Sequence, residues 1–99
     1  MIKHIVMWKL KYFNGDEKIK NCERAKRDLE GLQEMIPELK SIEVGININK
    51  TDAAYDLVLY SEFENEEGLN TYQNHPEHVK VGQFIKGIVQ HRVVVDYTV

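Results

Sequence analysis

The sequence has 99 residues, 42% of them hydrophobic, enough to bury one core, so we predict a single domain over residues 1–99. Its 13 Lys and Arg residues are interleaved with 16 Asp and Glu residues, for a formal net charge of -3, which argues against nucleic acid or an anionic membrane as partner. The one cysteine cannot form an internal disulfide and no apolar run is long enough to span a membrane, so we expect a cytoplasmic protein.

The chain opens with a pattern typical of a strand and then one typical of a helix. Residues 2–10 alternate, which places one set of side chains on a single strand face: Ile2, His4, Val6, Trp8 and Leu10. The segment "NGDE" at residues 14–17 provides an N-cap residue with an acid three positions later. Apolar residues then recur at helical spacing as far as Ile36, and we expect Pro37 to end this helix.

The rest of the chain predicts two strands, a broken helix and a last strand. The segments "SIEVGINI" at 41–48 and "YDLVLYSEF" at 55–63, separated by a turn, indicate two antiparallel strands. Asn65 is a suitable cap for a short helix, and Pro76 is suited to start a second one. The segment "HRVVVDYTV" at 91–99 predicts the closing strand.

This order of elements predicts an α+β fold, the ferredoxin-like split β-α-β, with a four-stranded antiparallel sheet and both helical regions on one face. The other face would carry apolar side chains, for which we expect Ile5, Met7, Val58, Tyr60 and Val94. Soluble monomers seldom expose a patch of this kind. We therefore predict a homodimer in which two sheets pack face to face, a dimeric α/β barrel. The alternative is a monomer whose second face is merely mixed, since Lys, Glu and Asp residues also lie on it.

Five segments resemble the stress-responsive dimeric A/B barrel family, also called Dabb domains: "IKHIVMWKLK", "IPEL", "YDLVLYSEF", "YQNHPEHV" and "RVVVDYTV". The similarity spans nearly the whole chain. Its most specific parts are "KH" at residues 3–4 and "HPEHV" at residues 75–79. The resemblance implies a dimeric ferredoxin-like barrel and, in most members, no established chemistry.

A distant resemblance to one plant member, olivetolic acid cyclase, implies candidate site residues. That enzyme closes a polyketide chain without a cofactor, and its motif histidine and tyrosine correspond to His78 and Tyr72 here. Its pocket histidine on the first strand corresponds to His4. This chain departs from it at Leu29 and Leu57, where the cyclase has a tyrosine and a histidine. The resemblance therefore implies a pocket of related shape with a different substrate.

The residues themselves also suggest acid-base chemistry. With Pro76 at the first helical position, His78 lies in the first turn, where unpaired backbone N–H groups disfavour the imidazolium, although Glu77 beside it acts in the opposite direction. A neutral His78 could act as general base while Tyr72 donates a proton to a carbonyl oxygen. The alternative is structural, because a broken helix leaves backbone groups in need of partners that Tyr72 and His78 could supply.

The remaining candidates for ligand binding are His4, Val6 and Trp8 on the first strand and His75 at the helix break. His4 is expected to be buried and to need a specific partner, for which the helix break is the obvious place, the alternative being a core histidine bonded to the backbone. His75 precedes a proline and is expected to cap the second helical piece. Although His75 and His78 are three residues apart, the proline between them breaks the shared helix face, so we predict no metal site and no cofactor.

Three functions compete at this point. The first is a homodimer whose pocket between sheet and helices binds a small hydrophobic or aromatic carbonyl compound. The second is a cofactor-free cyclase, isomerase or lyase with His78 as general base and Tyr72 as proton donor. The third, by fold analogy alone, is a haem-binding or quinol-forming monooxygenase, although the first strand lacks the asparagine that such haem enzymes tend to place over the ring.

Overall fold

The computed structural model describes residues 1–99. Its elements in chain order are β1 (Ile2–Leu10), α1 (Gly15–Glu30), a 3-10 helix (Gly31–Glu34), β2 (Ser41–Ile46), β3 (Leu57–Phe63), α2 (Glu66–Asn74), α3 (Pro76–Ile88) and β4 (Val89–Thr98). The four strands form one antiparallel sheet in the order β2-β3-β1-β4. The predicted α+β ferredoxin-like fold is confirmed.

Alternation along β1 separates the two faces of the sheet. All five residues predicted to share a face are buried under the helices, and His4 is the only one of them that is not apolar. The same face of β3 adds Leu57, Leu59 and Phe63, while α1 adds Cys22, Ala25 and Leu29. The core is therefore a single layer between the sheet and the helices, as expected when helices cover one face only.

The ends of several elements differ from the sequence prediction. The first α-helix ends at Glu30 and tightens into a 3-10 helix from Gly31, a residue with low helix propensity, although Pro37 does follow the helical region. The strand predicted over 41–48 ends at Ile46, because the Asn47 side chain accepts a hydrogen bond from the backbone N–H of Asn49 and starts a turn. Ile48 is consequently 92% exposed.

The position of Val94 corrects one prediction. The register between β1 and β4 pairs Val94 with Val6, and residues paired across antiparallel strands point to the same face. Val94 therefore lies on the helix side of the sheet, whereas Val93 and Val95 lie on the opposite side. The prediction was wrong because three consecutive valines show no alternation of apolar and polar residues, so the sequence does not indicate which of them face the helices.

No helix covers the other side of the sheet, which we call the open face. It carries apolar side chains that are about half exposed, including Met7 at 40% and Val95 at 58%. One polar network crosses it: Lys3 Nζ donates to Glu62 Oε2 over 2.8 Å, and the Tyr60 hydroxyl donates to the same oxygen over 2.7 Å. The mixed but largely apolar face expected from the sequence is therefore present.

The helix break lies where the sequence predicted it. The Asn65 side chain accepts a hydrogen bond from Gly68 N–H and caps α2, and α3 begins at Pro76. Between them, His75 has an extended backbone, as a residue before proline should. The break places the end of α2 and the first turn of α3 side by side above β1. None of the helices combines the length and the apolar character needed to span a bilayer.

Candidate functional site

A cavity of about 350 Å³ lies between the sheet and the helices. Its walls are mostly apolar and come from both layers: Val6, Trp8, Leu29, Leu59 and Ile85. Three polar side chains converge on it, His4 from β1, Tyr72 from α2 and His78 from α3. Small-molecule sites have roughly this character and volumes of about 300–1,000 Å³, so the cavity suits a compact ligand.

His78 is held in one orientation by the helix break. Its Nδ1–H donates to the backbone carbonyl oxygen of Gln73 over 3.1 Å, which leaves the lone pair on Nε2. Burial lowers the pKa of His78, and the hydrogen bond to Gln73 only partly opposes this effect. Glu77, whose negative charge would raise the pKa of His78, forms an ion pair with Lys80 instead, with 3.3 Å between Glu77 Oε1 and Lys80 Nζ. His78 is thus a neutral imidazole near pH 7 and can accept a proton.

Tyr72 offers a hydroxyl to the cavity. The residue is 1% exposed, and its ring packs against His78 with 4.4 Å between ring centroids and against Phe63 with 5.0 Å. Its hydroxyl has no hydrogen-bond partner in the protein. Every side-chain oxygen or nitrogen that is fully buried does have a partner, so the Tyr72 hydroxyl is not fully buried. Since Tyr72 lines the cavity, the hydroxyl opens to it. Burial raises the pKa of Tyr72, which therefore remains a proton donor.

His4 is oriented from β4 rather than from the helix break. Its Nδ1 lies 2.5 Å from Asp96 Oδ1, directly across the β1–β4 ladder, and its backbone carbonyl accepts a hydrogen bond from the buried Ser61 hydroxyl. The prediction that the helix break supplies its partner was wrong, because strand pairing brings together residues 92 positions apart. With Nδ1 used by Asp96, Nε2 is the nitrogen free to meet a ligand.

His75 lies outside this group. Its Nδ1 accepts a hydrogen bond from Glu77 N–H over 3.1 Å, so the side chain caps α3, and the cavity walls do not include it. The other five residues predicted to bind a ligand or catalyse do line the cavity: His4, Val6, Trp8, Tyr72 and His78. Leu29, at a position where the cyclase has a tyrosine, contributes an apolar wall, whereas Leu57 is buried elsewhere in the core.

Sequence reasoning missed the charged residues at this site. Asp96 orients His4, and two exposed cations, Lys86 and Arg92, line the cavity where it opens to solvent. Arg92 lies opposite Trp8 in the β1–β4 ladder. The sequence did not show which residues of β4 face the helices. Once the register assigns one residue of β4 to a face, alternation places Arg92 and Asp96 on the helix side.

A larger depression of about 720 Å³ lies at the other end of α1 and has more charged and polar residues in its walls. Cys22 lies beneath it and is only 3% exposed, and burial raises the pKa of its thiol. Cys22 therefore packs as a small apolar residue on the buried face of α1. No group of three or more His, Cys, Asp or Glu side chains lies close enough together to hold a metal ion.

Comparisons with known proteins identify the family. The model of the stress responsive A/B barrel domain matches residues 2–99. A dimeric ferredoxin-like protein of unknown function from Bacteroides fragilis is 35% identical, with a TM-score of 0.93 and coverage of 99% of this chain and 95% of that one. A similarly described protein from Thermobifida fusca is 26% identical, with a TM-score of 0.82 and coverages of 99% and 90%.

Hydroxynitrile lyase from Passiflora edulis is 18% identical, with a TM-score of 0.82 and coverages of 99% and 92%, and so shares the fold. A search of curated protein sequences finds no match. The family model covers almost the whole chain, including every residue that lines the cavity. The chain belongs to the stress responsive A/B barrel domain family.

Proposed function

We propose that the cavity binds a small hydrophobic or aromatic carbonyl compound, with the carbonyl oxygen accepting a hydrogen bond from the Tyr72 hydroxyl. The observation that carries this proposal is a buried hydroxyl that opens to an apolar cavity and has no partner in the protein. A polar group in such a place is costly unless a ligand or water supplies the acceptor. The apolar walls favour a ligand whose remaining surface is hydrocarbon.

A second candidate function is cofactor-free catalysis at the carbon next to that carbonyl. His78 Nε2 would accept the proton from this carbon while the Tyr72 hydroxyl hydrogen-bonds to the carbonyl oxygen on which negative charge develops. The observation that favours it is a neutral histidine in ring contact with an unpartnered tyrosine. A protein of the same fold is named as a hydroxynitrile lyase, which supports a lyase as one of the enzyme classes that this fold can carry.

The third hypothesis, a haem-binding or quinol-forming monooxygenase, rests on fold analogy alone. Strand β1 contains no asparagine, and no further residue of the cavity favours this hypothesis over the other two. Reconstitution with haem tests it directly. Binding through His78 would give a Soret band that is absent from a His78→Ala variant.

We also propose that the protein is a homodimer that buries the open face. Two structural neighbours are described as dimeric, and one of them is 35% identical to this chain. The open face carries exposed Met7, Val58, Val93, Val95 and Tyr97. An apolar surface of this kind is typical of an interface, and a two-fold interface would bury the open faces of both protomers against each other.

Tyr72→Phe tests the binding proposal. A panel of aromatic ketones, β-diketones and acyl thioester analogues is first screened by thermal shift, and the tightest compound is titrated into both proteins. We expect the variant to bind about 2- to 13-fold more weakly, because one hydrogen bond contributes about 0.5–1.5 kcal/mol. Without ligand it should melt within about 1 °C of the wild type, since the hydroxyl bonds to no protein group.

Tyr12→Phe is the matched control, because Tyr12 is 97% exposed and lies outside this cavity. If the second candidate function is correct, Tyr72→Phe instead abolishes turnover while the dissociation constant changes little. Equal binding and equal turnover in wild type and variant would contradict both roles of Tyr72.

A further inference from the structure

The mouth of the cavity carries a positive charge that the protein does not neutralise. Of the three arginines in the sequence, Arg24 and Arg27 both contact Asp28, at 3.4 Å and 3.7 Å. The side chain of Arg92 makes no salt bridge and no hydrogen bond. Asp96, the carboxylate on the same side of the same strand, is engaged by His4. Lys86 lines the same opening and is likewise free of ion pairs.

The charge of Arg92 also reaches the interior of the cavity. Burial raises the pKa of Tyr72, and the positive charge of Arg92 opposes that rise. Burial lowers the pKa of His78, and Arg92 lowers it further. Arg92 is therefore close enough to both polar groups of the proposed site to act on a ligand that they hold. Since Arg92 lines the cavity and forms no ion pair within the protein, its charge is available to a bound ligand.

We propose that the ligand is a carboxylic acid as well as a carbonyl compound, an aromatic or acyl keto acid whose carboxylate binds Arg92 at the mouth. This inference rests on the proposed function and names the substrate class of that site. The apolar part fills the space beside Trp8, the ketone oxygen meets Tyr72, and the carboxylate remains near solvent. A guanidinium suits this role because it binds a carboxylate through two parallel hydrogen bonds. Lys86 supplies a second, less directional charge.

The test compares 4-oxo-4-phenylbutyrate with its methyl ester, which keeps the ring and the ketone and loses only the negative charge. Both compounds are titrated into wild type, Arg92→Gln and Arg92→Lys at low and at physiological ionic strength. Lys20→Gln is the matched control, because it changes the net charge by the same amount as Arg92→Gln. Lys20 is exposed on α1 and forms no ion pair.

We expect wild type to prefer the acid over the ester by about 3- to 10-fold, the range for an ion pair at a partly solvated site. Arg92→Gln should remove the preference by weakening only the acid, Arg92→Lys should keep part of it, and Lys20→Gln should keep all of it. Added salt should weaken the acid and leave the ester unchanged.

Other outcomes distinguish failure of the carboxylate inference from failure of the proposed function. If the ester binds and the acid is not preferred, or if Arg92→Gln weakens both compounds equally, the carboxylate inference is wrong and the carbonyl site stands. If neither these compounds nor any of the aromatic carbonyl panel binds, the proposed function fails, and this inference fails with it.

Discussion

The two faces of strand β1 differ in almost every property, although they are built from the same nine residues. The helix side carries His4, Val6 and Trp8, which are buried and line the cavity. The open side carries Lys3, Ile5 and Met7, of which Met7 is 40% exposed and Lys3 bonds to Glu62 on the neighbouring strand. Alternate residues along one strand therefore separate the proposed ligand site from an apolar face that is suited to assembly. Changes on one face should leave the other nearly unaffected.

The largest effect is expected from Val95→Asp on the open face. Val95 is 58% exposed and faces away from the helices. In a two-fold interface the substitution introduces two unpaired charges, so we expect the dimer dissociation constant to rise by on the order of 100-fold or more. Sedimentation equilibrium or light scattering measures the change. Ligand affinity at the cavity should change by less than about twofold, as expected for distant independent sites.

Val94→Asp is the matched control, since it makes the same change one residue away on the opposite face of the same strand. The dimer should persist in this variant. If Val95→Asp remains dimeric, or if Val94→Asp dissociates the protein as well, the open face is not the interface. In that case the two faces of the sheet do not have the separate roles in assembly and ligand binding that we propose.

A smaller effect is expected on the helix side from Asp96→Ala. His4 is 3% exposed, and loss of Asp96 leaves its Nδ1–H without a partner. An orphaned buried donor destabilises a protein by about 1–3 kcal/mol, and we expect a value near the lower end because the Asp96 side chain is 41% exposed. Urea unfolding at one protein concentration gives the free energy change.

Asp96→Asn sharpens this test, because the amide oxygen still accepts a hydrogen bond from His4. It should recover at least half of the stability lost in the alanine variant, while both variants remain dimeric. Equal losses in the two variants would show that the charge of Asp96, and not its acceptor atom, stabilises His4.

The smallest effect concerns the pH dependence of stability contributed by His78. Its folded-state pKa lies below the value of about 6.5 that it has in the unfolded chain. Above pH 6.5 both states are neutral at this residue, so it contributes no pH dependence. As pH falls below 6.5 the unfolded state takes up the proton first, and stability declines until the folded pKa is reached.

His78→Gln should flatten the curve of unfolding free energy against pH between about 7.5 and 5. His91→Gln, at an exposed position on β4, is the control and should keep the wild-type slope between these limits. A wild-type slope in His78→Gln would contradict a buried, neutral His78.

Local patterns in the sequence determined the order of the elements, the faces of β1 and the position of the helix break. Period-two alternation from Ile2 to Leu10, the cap at Asn65 and the proline at Pro76 are each signals within a few residues. They sufficed to predict the ferredoxin-like sheet and to bring Tyr72 and His78 to one site, because the two residues are six positions apart on either side of the break. The family resemblance added the first-strand histidine to that group.

Only the tertiary structure decided the environment that these residues share. The run of valines in β4 concealed its phase, so the position of Val94 was predicted wrongly and neither Asp96 nor Arg92 was identified as facing the helices. The partner of His4 and the charge at the cavity mouth both depend on pairing between the first and last strands. Side-chain periodicity is a local property, whereas strand register depends on the packing of the whole sheet against its helices.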